Sequence, residues 1–387
     1  MDFQLTEEQR MLKANARTFI DREIVPAAQE RDSRGPLSRE ETIRFIKELM
    51  PFGYYNGWLS PEYGGADLDR KTIGMLHEEL SRGWAGLAGV VWMAGASGGV
   101  LGVGEPRRAE MMQRIRAGES IGAGAISEPN VGSDASSIQT RAVADGDDWV
   151  INGAKAWISN GPVCDHVYVA VQTDKTAGRS GISWILVEKE VSPYEVTAIN
   201  PLMGLRAWPN GNLAFQDCRV PRQNSRSRTE VPPSDGRKVW TFEQPRSILA
   251  IMSVGIAQAA IDAAIGYARE RQQWGRPIAS FQMVQEMIVD MILETEAARL
   301  LAYQAMDMMD RDEDCTWQAA AAKAYATEMA IRVTSKAIEV HGAVGLSEDL
   351  PLERYFRDAR AMTIPDGTTE IQKLIIGRNR IGISAFH

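Results

Sequence analysis

Polar and apolar positions change rhythm twice along this chain. From residue 1 to about 118 the spacing is helical: Thr6 stands as an N-cap before Glu7 and Glu8, and further helices are predicted over 38–50 and 70–83. Ser60-Pro-Glu-Tyr-Gly-Gly reads as a turn between them. From about 119 to 235 the chain shortens into β-rich runs, Trp149-Val-Ile, His166-Val-Tyr-Val-Ala-Val, Ile182-Ser-Trp-Ile-Leu-Val and Asn212-Leu-Ala-Phe, separated by turn residues. Gln223 to Gly236, rich in Ser, Arg and Pro, reads as a linker. From about 237 helical spacing returns in longer segments. Phe281, Val284, Ile288, Met291, Ile292, Ala298, Leu301, Ala305 and Met308 share one face, and the alanine-rich stretch Ala319 to Val340 can pack closely against it.

The predicted fold is therefore α+β and multidomain: an N-terminal helical domain (1–118), a central β-barrel (119–235) and a C-terminal four-helix bundle (236–387). Clefts are expected at the domain junctions, where ligands preferentially bind. The glycine-dense stretch Ala94 to Gly104 has the wrong glycine order for a dinucleotide fingerprint and no βαβ pattern around it, so it reads as a loop or close helix packing.

Charge narrows the partners. Lys and Arg total 43 against 51 Asp and Glu, a net charge of −8, which argues against a nucleic-acid or anionic-membrane binder; an anionic ligand must be held by local groups. Three widely spaced cysteines, Cys164, Cys218 and Cys315, suggest neither a disulfide framework nor a zinc site, and no metal centre is expected. The acidic, amphipathic N-terminus is unlike a targeting peptide, and the sequence shows no run of about 18 apolar residues, so a cytoplasmic protein is expected.

The candidate chemistry lies in four stretches. Ile364-Pro-Asp-Gly-Thr-Thr-Glu-Ile-Gln372 puts one carboxylate, Asp366, on a Pro- and Gly-flanked turn between helical segments; by itself the stretch reads first as a solvated turn. Ile126-Ser-Glu-Pro-Asn-Val-Gly-Ser-Asp134 is followed by Asn152-Gly-Ala-Lys-Ala-Trp-Ile-Ser-Asn-Gly161, in which an aromatic face stands beside a hydroxyl. Tyr267-Ala-Arg-Glu-Arg-Gln-Gln-Trp-Gly-Arg precedes Phe281-Gln282, with Arg271 a forked donor suited to a pyrophosphate, Trp274 a flat packing surface and Gln282 a partner for a polar edge. Glu339-Val-His-Gly-Ala-Val-Gly345 is a glycine turn that allows close backbone approach.

Together these stretches resemble the acyl-CoA dehydrogenase family over nearly the whole chain. The resemblance implies FAD as cofactor: Ile126, Ser127, Gly132 and Ser133 at the flavin's polar edge, Trp157 and Ser159 over its ring, Arg271, Trp274 and Gln282 at the ADP part, and Glu339 and Gly342 at the ADP of a neighbouring subunit, with Thr368 and Glu370 also on the cofactor. It implies an acyl-CoA substrate touched by Ser133, Phe242, Arg246 and Gly367, a homodimer or tetramer, and electron-transfer flavoprotein as electron acceptor. Several positions depart from the family: Ser127 stands for Thr, Ala343 for Gly and Glu339 for Gln, and His341 reads as structural. The family base is Glu, typically after Tyr, whereas here Pro365 precedes Asp366; some subgroups carry the base on another helix, but Gly255 and Ile256 offer no carboxylate there. Asp can take a proton α to a thioester from a dry site, but it is one methylene shorter. An Asp base also fits a flavin oxidase of the nitroalkane oxidase type, and a non-catalytic flavin-binding homologue is the third reading. Among acyl-CoA dehydrogenases, Asp resembles the subgroup acting on cyclohexanecarboxyl-CoA, which implies an α-branched or cyclic acyl group.

Overall fold

The computed structural model describes residues 5–95, 107–227 and 242–386. The expected order, helices then sheet then helices, is what it shows. Helix α1 (Glu7–Phe19) opens on the predicted cap, with Thr6 Oγ1 accepting from the Gln9 amide at 3.1 Å and Gln9 Oε1 accepting from the Thr6 amide at 3.0 Å. A wide π-turn, Ile20–Ile24, leads into α2 (Val25–Arg31), and α3 (Arg39–Leu49) repeats the capping box with Ser38 and Glu41. The helix predicted over 70–83 extends to form α4 (Arg70–Gly95), broken at Trp84, whose backbone is not helical. Trp84 meets Phe45 edge to face there, so tertiary packing sets the break. Most of the glycine-dense stretch lies outside the described residues; helix α5 (Arg107–Arg116) follows.

The β module is one eight-stranded sheet. Its strands are β1 (Gly122–Ala125), β2 (Arg141–Asp145), β3 (Asp148–Ser159), β4 (His166–Gln172), β5 (Ile182–Glu188), β6 (Glu195–Ile199), β7 (Asn210–Pro221) and β8 (Ser225–Ser227). They run in the order β6-β7-β3-β2-β4-β5-β8, with β1 parallel to β4, and the sheet curls. The expected linker needs correction at its start: Ser225–Ser227 pairs antiparallel with β5 and Asn224 is buried, so backbone pairing overrides the polar composition. Residues 228–236 lie outside the described range.

The C-terminal part is built from α6 (Glu243–Glu270), α7 (Gln282–Asp310), α8 (Thr316–His341), α9 (Leu352–Met362) and α10 (Thr369–Ile381), with a short hairpin, β9 (Gln272–Gln273) and β10 (Arg276–Pro277), between α6 and α7. Small residues let α6 and α8 approach closely: Ala250, Ala257, Ala260 and Ala264 on one, Ala319, Ala322, Ala326 and Ala330 on the other, are fully buried. On α7, Met291, Ala298 and Ala305 face the core as predicted, whereas Ile292 lies at its edge, 37% exposed. Helix α6 contains an 18-residue window apolar enough to span a membrane, which corrects the expectation that no such run exists; 78% of that window is buried in the protein.

Three contacts fix the sheet and the helices relative to each other. Asp310 at the end of α7 accepts from the first amides of α4, Arg70 at 2.8 Å and Lys71 at 3.2 Å. Buried Asn160, just past β3, donates to the Val90 carbonyl of α4 at 3.0 Å and accepts from Trp208 Nε1 at 3.1 Å. The amide of Leu205 donates to Asp358 of α9 at 2.5 Å. The end of β3 is thereby held on α4, and the sheet on α9.

Candidate functional site

The two segments around 126–134 and 152–161 form one unit. Lys155, fully buried, donates to the Ile126 carbonyl and to Glu128 Oε1, both at 2.9 Å. Glu128 also accepts from the amides of Gln139 at 2.7 Å and Thr140 at 2.9 Å, and the Ala156 amide donates to the Ser127 carbonyl at 2.9 Å. Burial pushes Glu128 upward, but Lys155 and the two amides outweigh it and hold the carboxyl below its ordinary range; burial lowers Lys155 against the pull of Glu128.

Beside this clamp, the pairing of β3 with β7 slips between Lys155 and Ile158, and Trp157 sits in the bulge with φ 62°. Its amide donates to Asn212 Oδ1 at 3.1 Å and its carbonyl accepts from Asn210 at 3.0 Å, so the backbone is fixed while 62% of the side chain stays exposed. Ser127 and Ser159 are half-buried and Gly132 and Ser133 exposed. A Cβ on Gly132 would meet nothing within 4 Å, so nothing inside the chain requires glycine there. Serine hydroxyls, loop backbone and an exposed indole on a fixed backbone suit a flat, uncharged heteroaromatic with a polar rim, and the isoalloxazine of FAD fits that description.

Asp366 lies on the turn between α9 and α10. Its φ is 54° and that of Gly367 is 95°, a conformation that favours glycine; a Cβ on Gly367 would also come within 2.8 Å of Gln372 Nε2 and displace it. The turn's carbonyls are gripped from inside. Lys323 of α8 donates to Thr363 O at 2.7 Å and Gly367 O at 2.8 Å. Gln372 Nε2 donates to Asp366 O and Gly367 O, both at 2.9 Å, and Arg246 Nε reaches Asp366 O at 3.4 Å. Burial raises the Asp366 pKa, opposed by Arg246 and Lys323. Burial lowers Lys323 from 10.5 to about 8, and lowers Arg246 against the pull of Glu243 and Asp366. A carboxyl with a raised pKa, partly open to solvent and set on a locked turn, is equipped to accept a proton.

Phe242, at the start of α6, lies under the Arg246 guanidinium at 5.2 Å. Thr368 stands at the N-cap position of α10 without a side-chain capping bond, and the first turn of that helix carries the exposed Glu370. The segments read as ADP-binding adjoin each other: Tyr267 stacks on His341 with ring centroids 4.5 Å apart, and His341 Nδ1 bonds the Ala337 carbonyl at 2.7 Å, the structural role expected of it. Arg271, Trp274, Gln282, Glu339 and Gly342 are all exposed, Trp274 by 86%. Among the described residues no hydrogen bond joins this group to the segments 126–134 and 152–161. Sequence reasoning missed Glu128, Lys155, Lys323 and Gln372. The available signal was a lysine at a core position: Lys323 shares its stripe with Ala319, Ala326 and Ala330.

Comparison with known proteins covers the whole chain. Residues 6–118, 123–218 and 237–381 match the descriptions of the acyl-CoA dehydrogenase N-terminal, middle and C-terminal domains. The probable acyl-CoA dehydrogenase YngJ of Bacillus subtilis (strain 168) is 35% identical over 98% of this chain and 99% of its own. The solved structure of butyryl-CoA dehydrogenase from Megasphaera elsdenii superposes with a TM-score of 0.89 at 30% identity, covering 98% of this chain and 100% of the other. A glutaryl-CoA dehydrogenase from Mycobacterium smegmatis, solved in complex with FADH2, gives 0.89 at 25% identity over 99% of this chain and 97% of the other.

Proposed function

The chain belongs to the acyl-CoA dehydrogenase family, and on that premise we propose that it is a flavin-dependent oxidoreductase that dehydrogenates an acyl-CoA thioester between its α and β carbons, with Asp366 as the base. The observation that carries this reading is the locked Asp366 turn beside Arg246 and Lys323, in a chain whose β-sheet presents a rigid aromatic and hydroxyl surface. FAD would be held by residues 126–133, Trp157 and Ser159 and would supply the acceptor for the β-hydride. Asp366 removes the α-proton. Burial raises its pKa and makes it a stronger base than a solvated carboxylate, while Arg246 and Lys323 oppose that rise. The Asp366 amide polarises the thioester carbonyl, where negative charge grows as the proton leaves. Phe242, Arg246, Gly367 and Ser133 border the path of the thioester.

The active assembly in this reading is a homodimer or tetramer. Arg271, Trp274 and Gln282 stand outward, and α7 carries exposed Met283, Val289, Leu293 and Leu300, an apolar surface suited to a second copy. Electron-transfer flavoprotein would take the electrons from the reduced flavin. The preferred acyl group is α-branched or cyclic, such as cyclohexanecarboxyl: Asp is one methylene shorter than Glu and Pro365 replaces an aromatic, which leaves room beside a tertiary α-carbon.

Anaerobic titration of the yellow protein tests the function. CoA esters should bleach the flavin, with kcat/KM for cyclohexanecarboxyl-CoA above that for butyryl-, octanoyl- and isobutyryl-CoA. A preference for straight chains removes the cyclic reading alone. Bleaching by a nitroalkane and by no CoA ester replaces the dehydrogenase with a flavin oxidase, and bleaching by neither leaves a flavin-binding homologue.

A further inference from the structure

Lys323 has no place in the proposed proton transfer, yet it is fully buried and directed at the turn that carries the base. Its ammonium joins two points four residues apart, the Thr363 carbonyl at the end of α9 and the Gly367 carbonyl just past Asp366. Gln372 also grips the turn, but from α10, which follows the turn directly in the chain. Lys323 comes from α8, 40 residues before Thr363 and 44 before Gly367, on a helix that packs against α6. It is the long-range fastening. Among the described residues no carboxylate lies within ion-pair distance of its ammonium. The charged groups around it are Asp366 on the turn, Arg246 on α6, Glu328 on its own helix and Glu370 on α10.

We propose that Lys323 is a positioning residue for the α-proton transfer: by holding the Thr363 and Gly367 carbonyls together it sets where the Asp366 carboxylate stands. This rests on the assignment of Asp366 as base. A short base makes the fastening more consequential. With one methylene fewer than Glu, the carboxylate has less side-chain freedom with which to absorb a backbone shift, and a displacement of about 1 Å can cost on the order of a hundredfold in rate. The ammonium also favours the carboxylate form of Asp366, with Arg246 the other cation acting on it.

The test compares Lys323→Met, which keeps an unbranched stem and removes the ammonium, with wild type and with Asp366→Asn. Each is assayed for FAD content, CoA-ester affinity and the pH dependence of single-turnover anaerobic bleaching. Lys323→Met should retain FAD and bind the ester within a few-fold of wild type. Its bleaching should slow on the order of a hundredfold, and the acidic limb of the pH profile should move to higher pH, because Asp366 loses a cation that keeps it ionised. A purely structural role would lower thermal stability and leave that limb in place. Should Lys323→Met fail to fold, Lys323→Gln, which can still donate to one carbonyl, carries the same readouts. A wild-type rate and limb in the folded variant overturns the proposal. Failure of the underlying assignment looks different: Asp366→Asn would then bleach at the wild-type rate.

Discussion

Two buried lysines hold the two irregular segments of this site, and their electrostatics differ. Lys155 fastens the Ile126–Ser133 segment and has its own counter-ion: Glu128 lies 2.9 Å away and is itself tied to two amides, so the pair is neutral and complete. Lys323 fastens the Asp366 turn through carbonyls alone, and its charge is left to act on Asp366 and the groups around it. A closed ion pair suits a surface that must hold its shape while a neutral ring rests on it. An ammonium bound only to carbonyls suits a turn whose carboxylate is the one expected to take a proton. The cost is visible in Lys323 itself, lowered from 10.5 to about 8 by burial, equivalent to roughly 3 kcal/mol against the charged form.

Substitutions that touch one region and spare the other sharpen this contrast. The largest effect is expected at Asp366→Asn, which keeps the shape and removes the basicity: FAD and ester binding persist while bleaching falls by orders of magnitude, read by anaerobic stopped flow. Next, Glu128→Ala leaves Lys155 buried without its counter-ion, which costs roughly 3 to 5 kcal/mol. The loss should appear as weaker FAD retention and earlier unfolding in denaturant, and FAD-replete variant should still bleach with an acidic limb like that of wild type. Arg271→Ala removes a charge-assisted contact worth about 1.5 to 3 kcal/mol, measured as a weaker FAD dissociation constant with the base turn untouched.

A pH effect separates the lysines more finely. Lys323 has a folded pKa of about 8, below the 10.5 of the unfolded chain, so between these values the unfolded state binds more protons. Stability from this group is therefore present above 10.5 and lost as pH falls through 8. Unfolding free energy across that window should rise less steeply with pH in Lys323→Met than in wild type, by at most about 1.4 kcal/mol per pH unit.

Asp366 was legible in the sequence because Pro365 and Gly367 mark a turn, and the turn is where the chain places it. Thr6, the strands from Trp149 to Phe215, and the α8 stripe were legible because caps and periodicity are local properties. The roles of the lysines were not, although the place of Lys323 in the alanine stripe was a signal. In sequence Lys155 stands in a strand and Lys323 in a helix, and a lysine in either is ordinarily solvated; only the approach of α6, α9 and α10 to α8, or of residues 126–140 to β3, turns it inward. The helix predicted over 70–83 stops just before the break at Trp84; what escaped was its continuation to Gly95, because the packing of Trp84 on Phe45 is a long-range contact. Ser225–Ser227 looked like a linker because strand pairing supplied what composition lacked.

The division of labour between the two lysines is tested most directly by preparing Lys155→Met and Lys323→Met side by side and measuring FAD dissociation and single-turnover bleaching on each. The account predicts a crossed result: Lys155→Met releases FAD readily but bleaches near the wild-type rate once saturated with it, and Lys323→Met keeps FAD but bleaches slowly. Two variants that lose both properties together, or Lys323→Met bleaching as fast as wild type, would contradict it.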